Sequence, residues 1–287
     1  MDADICEEFQ NVREWLPREL IEGNNKNIND NLKKYCDNGS CEDPFEKVNA
    51  GCLYFFDTFY KDESAFEMAI KRNINIVEYI LIWLSYMLSL IKSNEDDNRT
   101  SFYNKYINAG DKYINNINYI NGYNGYKDFI DRNNYFLSMD MGIISKLYDA
   151  FNTLCDIYNE FDTNNSNCAN CLEKARQFVK KYEKFNIDYN TPENNSYFNV
   201  LITLLNGYYN LKNKCRNFPS ISGISNIIYE QISEVTSSSS IASKLIPILS
   251  ILVAIAIFLG ISYKVNNKEL KKKYYIYINI NEQSYSS

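Results

Sequence analysis

The chain has 287 residues, 45% of them hydrophobic and 23% charged, with 30 basic against 36 acidic side chains and no histidine. Without imidazole, a Ser-His-Asp or Cys-His nucleophilic site is excluded, and so is any zinc site that needs histidine. A formal charge of −6 argues against nucleic acid, whose phosphates are bound chiefly through cationic neutralisation. With 16 Phe and 25 Tyr the sequence carries too many core-forming side chains to be disordered, and a globular domain of about 200 residues plus an accessory segment is expected. The 41 Asn and 34 Ile share A/T-rich codons with Tyr and Lys, so Asn-rich stretches are discounted as signs of function and kept as loop signals.

The opening residues, MDADICEEFQ, have neither the basic n-region nor the apolar h-region of a secretory signal. Membrane targeting is therefore expected to rest on an internal span or an unconventional export route. Residues 24–31, NNKNINDN, read as loop within a loop-rich N-terminal third. The apolar run from Ile74 to Ile91 is interrupted by Glu78, which leaves 13 uncharged residues, roughly 20 Å of helix. That length predicts a buried core helix in preference to a second span. Over 108–134, two Asn-Gly pairs at 121–122 and 124–125 predict turns in a small hairpin or mobile loop.

From 143 to 161, Ile143, Ile144, Leu147, Tyr148, Phe151, Leu154, Cys155, Tyr158 and Phe161 recur at helical spacing and trace one face. A second amphipathic helix carries Leu172, Ala175, Phe178, Val179, Tyr182 and Phe185. A third follows the start signal Thr191-Pro192-Glu193 and shows Tyr197, Val200, Leu201, Leu204, Leu205, Tyr208 and Leu211. Three amphipathic helices and one almost wholly apolar helix predict a bundle with the apolar one in the middle.

Between 220 and 243 nine of 24 residues are Ser, which reads as a flexible stalk, with a short helix through Ile227–Val235 as the alternative. Leu245 to Tyr263 then run 19 residues without a charge, roughly 28 Å of helix against about 30 Å of bilayer hydrocarbon. This predicts a transmembrane helix. Lys264, Lys268, Lys271, Lys272 and Lys273 follow it, so residues 265–287 are expected on the cytoplasmic side and the acidic N-terminal region on the other. The expected organisation is a mainly α chain: a helical-bundle ectodomain with long loops over 1–219, a stalk at 220–243, one C-terminal transmembrane helix at 244–264 and a short basic tail.

All eight cysteines, Cys6, Cys36, Cys41, Cys52, Cys155, Cys168, Cys171 and Cys215, precede the span. An even count on one side of a membrane suits disulfides in an oxidising space, and eight cysteines allow 105 pairings, so connectivity stays open. Cys168-Ala-Asn-Cys171 is the one motif that bears on chemistry. A zinc site wants a second CxxC and a redox pair wants a thioredoxin-like βαβ setting. The sequence offers neither, so structural disulfides are the preferred reading. Asn38, Asn98, Asn164 and Asn194 each open an N-x-S/T sequon, a match expected by chance in so Asn-rich a chain. No phosphate-binding glycine loop is found, and no paired carboxylates in a context that would raise one pKa, so neither catalysis nor a cofactor, metal or small-molecule substrate is expected.

Several blocks carry a family resemblance: CEEFQNVREWLP at 6–17, NAGCLYFFDTFY at 49–60, NINIVEYILIWLSYML at 73–88 and SKLYDAFNTLCDIYNEF at 145–161. With NCLEKARQFVKKYEKFN at 170–186, LKNKC at 211–215 and SSSSIASKLIPILSILVAIAIFLGISYK at 237–264, they resemble the Plasmodium interspersed repeat (PIR) proteins, rodent-parasite Yir/Bir/Cir branch. The resemblance implies a variant antigen of a malaria parasite, helical outside, with a single span and short tail, exported towards the infected red cell. It implies host-cell binding and immune evasion by antigenic variation, without catalytic residues, and it matches all eight cysteines. Members resembling this chain continue after ISYK with an aromatic, basic tail, whereas here VNNKELKKKYYIYININEQSYSS follows. We hypothesise an unspliced intron; a mature transcript that encodes Val265-Asn266-Asn267 would overturn this. The expected partners are the bilayer and a host-cell receptor or antibodies, contacted through loops 24–47, 92–100 and 108–134. The alternative is an internal membrane protein of the parasite or its export compartments, with a trafficking or signalling role.

Overall fold

The structure is a computed structural model, and it describes residues 3–21, 28–71, 76–92, 97–114, 117–120, 122–161, 168–185 and 197–222. The predicted stalk beyond 222, the span at 245–263 and the tail lie outside these residues, as does the Thr191-Pro192-Glu193 start signal. Regular structure among the described residues is helical throughout, with no strand. None of these helices is long and apolar enough to cross a membrane.

Helix α1 (Ala3–Trp15) buries Ile5, Cys6, Phe9 and Val12, one face at helical spacing, and Pro17 follows its end. Helix α2 (Pro44–Tyr60) starts with Pro at its first position and Asp43 as N-cap, whose side chain accepts the Glu46 N–H at 2.8 Å. These two helices correct the expectation of a loop-rich N-terminal third. The sequence carried their start and stop signals at Asp43-Pro44 and Pro17, but Asn-rich neighbours obscured them. Helix α3 (Glu63–Lys71) packs back on α2.

The apolar run forms α4 (Ile76–Ser89), with every side chain from Ile76 to Ser85 buried. It is a core helix of 14 residues, as its length predicted. Its C-terminal carbonyls are closed from outside the helix: the Asn98 side-chain amide donates to Leu88 O at 3.0 Å and Ile91 O at 2.9 Å. The same Asn98 opens a sequon, so the acceptor amide is already used as a cap.

Helix α5 (Asn98–Phe102) runs on into a π-helical turn, Tyr103–Asn108, that stops at Ala109-Gly110. The predicted hairpin over 108–134 is not formed by strands. A 3₁₀ turn at Asp111–Tyr113 comes first, and an Ile117 N–H to Asn124 O bond of 3.0 Å closes a compact loop around Gly122. Gly122 has φ of +80°, the left-handed conformation that makes glycine the favoured residue in such a turn. Residues Tyr126–Arg132 are helical (α6), a correction to the reading of this whole stretch as loop.

Helix α7 (Met141–Glu160) begins at Asp140, which accepts the Ile143 N–H at 3.1 Å, and extends over 20 residues. Helices α8 (Leu172–Tyr182) and α9 (Phe198–Lys214) complete the bundle. Helix α7 is the hub: it packs against α1, α4, α8 and α9. The centre is thus shared between α7 and the apolar α4, not held by α4 alone. A run of rings binds them, with Phe9 stacked on Phe55 at 4.3 Å and edge-on to Phe151 at 4.8 Å, and Tyr79 stacked on Phe151 at 4.5 Å. After α9 the chain stays packed: Phe218 and Ile221 are buried and the Tyr208 hydroxyl donates to Pro219 O at 2.7 Å.

Candidate functional surface and cysteine framework

The cysteines set the frame on which the surface sits. Cys6 of α1 pairs with Cys155 of α7 across 149 residues, with Cα atoms 4.8 Å apart. Cys168 pairs with Cys215, fixing the start of α8 to the end of α9. Cys36 and Cys41 close a five-residue loop in which Gly39 takes φ of +74°. The remaining two of the eight candidates, Cys52 and Cys171, are buried free thiols. This differs from the expectation that all eight pair. Cys52 lies on the core side of α2, fully buried beside the Tyr113 hydroxyl, and burial pushes its pKa up to about 12. Cys171 faces α7, its Sγ 3.9 Å from Ile157 O, while Cys168 is turned towards Cys215. The CxxC residues therefore do not bond to each other. Among the described residues no group of His, Cys, Asp or Glu side chains is arranged to hold a metal ion.

Of the three predicted contact loops, the described parts of two come together over α2. Asp57 of α2 is the meeting point: Tyr35 donates to its Oδ2 at 3.0 Å and Tyr126 to its Oδ1 at 2.8 Å. Both tyrosine pKa values are pushed well up, first by burial and then by the Asp57 charge. Lys112 closes the same junction from above, donating to Tyr35 O at 2.9 Å and to Asp37 Oδ1 at 2.8 Å. Its ammonium holds the Asp37 carboxyl below the usual carboxylate range. Tyr113 adds a bond to Asn49 Oδ1 at 2.7 Å, and Tyr119 donates to Tyr60 O.

Helix α5 and its π turn border this layer. Lys105 lies 3.8 Å from Asp43, and the Tyr103 hydroxyl donates to Asp131 Oδ1 at 2.5 Å. Arg132 stacks over Tyr123 at 3.9 Å and donates to Gly122 O at 2.7 Å. Segment 97–100 behaves differently from the other two: Asn98 caps α4, and Arg99 donates to Met139 O at 2.7 Å. Its side chains serve the scaffold. What the layer leaves to solvent is polar, including Lys33, Lys34, Ser40, Asn104 and Asp111, together with Ile114, the exposed large apolar side chain among the described residues. The tyrosines that bind the layer together were missed in the sequence, because tyrosines in Asn-rich segments look like composition bias until their hydroxyls are seen converging on Asp57.

A sequence profile of the family described as Plasmodium variant antigen protein Cir/Yir/Bir matches residues 6–264. The chain belongs to this family, the PIR proteins. A solved structure of a Plasmodium PIR protein ectodomain is similar to it, with a TM-score of 0.59 and 31% identity over 76% of this chain and 95% of that one. No curated protein matches the chain. The PIR assignment accounts for the helical architecture described above, and the match spans nearly all of the solved ectodomain.

Proposed function

We propose that this PIR variant antigen acts by recognition, not catalysis: its helical ectodomain presents the layer over α2 to host cells or antibodies, anchored by a membrane span at 245–263. The observation that carries the reading is the layer itself. Segments 28–43 and 108–134 are far apart in sequence, yet they share hydrogen bonds through Asp57 and Lys112 while their tips stay exposed. A scaffold that fixes loop backbones and leaves their outward side chains free can accept sequence variation at those tips without loss of fold. Immune evasion by antigenic variation needs that separation. The disulfides favour an oxidising space outside a cytoplasm, in keeping with an outward-facing domain.

Protease shaving of intact infected red cells, followed by a non-reducing blot for the N-terminal domain, tests the reading. Loss of the full-length band with a disulfide-dependent mobility shift supports display outside the cell. A band that survives until the cells are permeabilised assigns the protein to an internal membrane with a trafficking role.

A further inference from the structure

Charge is unevenly divided along the ectodomain. Residues 1–161 carry 16 basic and 27 acidic side chains, whereas residues 162–222 carry eight basic and five acidic. On α8 the basic residues sort by direction. Lys174 and Lys181 turn to α7, where they pair with Glu160 and with Asp149 (2.7 Å). Arg176 and Lys180 are exposed one turn apart on α8, and the exposed Lys184 follows in the turn just past its end. Arg176 has Glu173 at 3.4 Å, and no ion pair is formed by Lys180 or Lys184 among the described residues. Lys180 lies in the last turn of α8, where a cation favours the helix dipole, and its ammonium stays exposed to solvent.

The last described residue lies at the same place. Ser222 donates through both its backbone N–H, at 3.0 Å, and its hydroxyl to Glu183 Oε1, next to Lys184. The chain thus leaves the bundle beside the basic stripe. Twenty-two residues separate Ser222 from Leu245. A Ser-rich chain of that length would, as a random coil, have an end-to-end distance of roughly 25 Å, which keeps the stripe within reach of a bilayer.

We propose that Arg176, Lys180 and Lys184 form a docking face for an anionic lipid headgroup surface, which seats the ectodomain on the membrane. The proposal rests on the anchored reading above. Tethering makes this contact intramolecular, so a stripe too weak to bind vesicles from solution can still hold the domain down. A few basic side chains near an anionic surface suffice for such a contact, and salt weakens it.

The test uses the full-length chain in nanodiscs of phosphatidylcholine alone or of phosphatidylcholine with phosphatidylserine, with lysine acylation read residue by residue by mass spectrometry. Failure to enter either disc counts against the anchor and, with it, this inference. For the inserted chain, acylation of Lys180 and Lys184 is expected to fall severalfold in the anionic discs only, to recover at high salt, and to leave Lys33 unchanged. Arg176→Glu, which keeps both reporter lysines, is expected to lower the docked-to-undocked ratio roughly 30-fold. Equal acylation in both discs overturns docking while leaving the anchor intact. Protection that follows protein density instead of lipid charge also overturns it, and assigns the stripe to the acidic surface of a second copy.

Discussion

The hydroxyl of Tyr126 reaches across 69 residues of sequence to donate to Asp57 Oδ1 at 2.8 Å, while Tyr35 occupies the other oxygen of the same carboxylate. One side chain on α2 therefore holds two of the three segments expected from the sequence to form the contact surface. Their backbones are fixed from beneath, and what varies above them need not disturb the bundle.

Replacing Asp57 should loosen both segments together. Asp57→Ala removes two charge-assisted hydrogen bonds from buried tyrosines and is expected to cost about 2–3 kcal/mol. Chemical denaturation measures the loss, and faster proteolysis within both 28–43 and 117–125 shows that it is shared. Cutting in only one of them means that the segments are held independently.

Tyrosine burial sets an alkaline limit. Tyr35, Tyr54, Tyr60, Tyr126, Tyr135 and Tyr208 all have folded-state pKa values raised above the ordinary 10.0, with burial the largest cause at each. Above pH 10 the unfolded chain gives up these protons while the folded chain keeps them, so the folded state binds more protons. Stability is then fully present below pH 10 and falls as pH rises further. Thermal melting across the alkaline range should show this decline, with tyrosinate absorbance from these residues rising together with unfolding and not before it.

The cysteine framework predicts a thiol count and a ranking. Alkylation of the non-reduced protein should label no cysteine in the native state and two, Cys52 and Cys171, in denaturant, as mass spectrometry can count. Removing Cys6 with Cys155 should cost about 3–5 kcal/mol, because the pair closes a loop of 149 residues. Removing Cys36 with Cys41 should cost roughly 2 kcal/mol, since a separation of five leaves little unfolded-chain entropy to restrict. Denaturant midpoints of the two double variants decide the order.

Periodicity made the C-terminal half of the bundle legible. The faces of α7, α8 and α9 stand in the sequence as apolar residues three and four apart, and the uncharged run of α4 has a length that favours a core helix over a span. Other features depend on distance. Nothing in Cys168-Ala-Asn-Cys171 says that the two side chains diverge; that follows from α9 returning Cys215 to the start of α8 and from Cys171 facing α7. Tyr35, Lys112 and Tyr126 each look like ordinary loop residues, and their roles come from meeting over Asp57. Local signals encode helices, whereas pairings across the chain are set by packing that no short window contains.

Gly51 shows how a packing constraint hides inside a helix. Glycine in the middle of α2 costs about 1 kcal/mol relative to alanine, so its presence needs a cause. A Cβ there would lie 2.7 Å from Cη2 of Trp83 and 3.4 Å from Leu16 Cδ2. Trp83 is buried and meets Phe55 edge-on at 5.1 Å, which leaves its ring little room to retreat. Gly51→Ala should therefore gain helix propensity and lose more through overpacking, for a net destabilisation of about 1–2 kcal/mol. Combined with Trp83→Phe, the same substitution should cost less than it does alone, because the smaller ring vacates the position the methyl group needs. A double-mutant cycle measured by chemical denaturation reads that coupling directly, and additive effects would show that the close approach of α2 to α4 is not what keeps glycine at position 51.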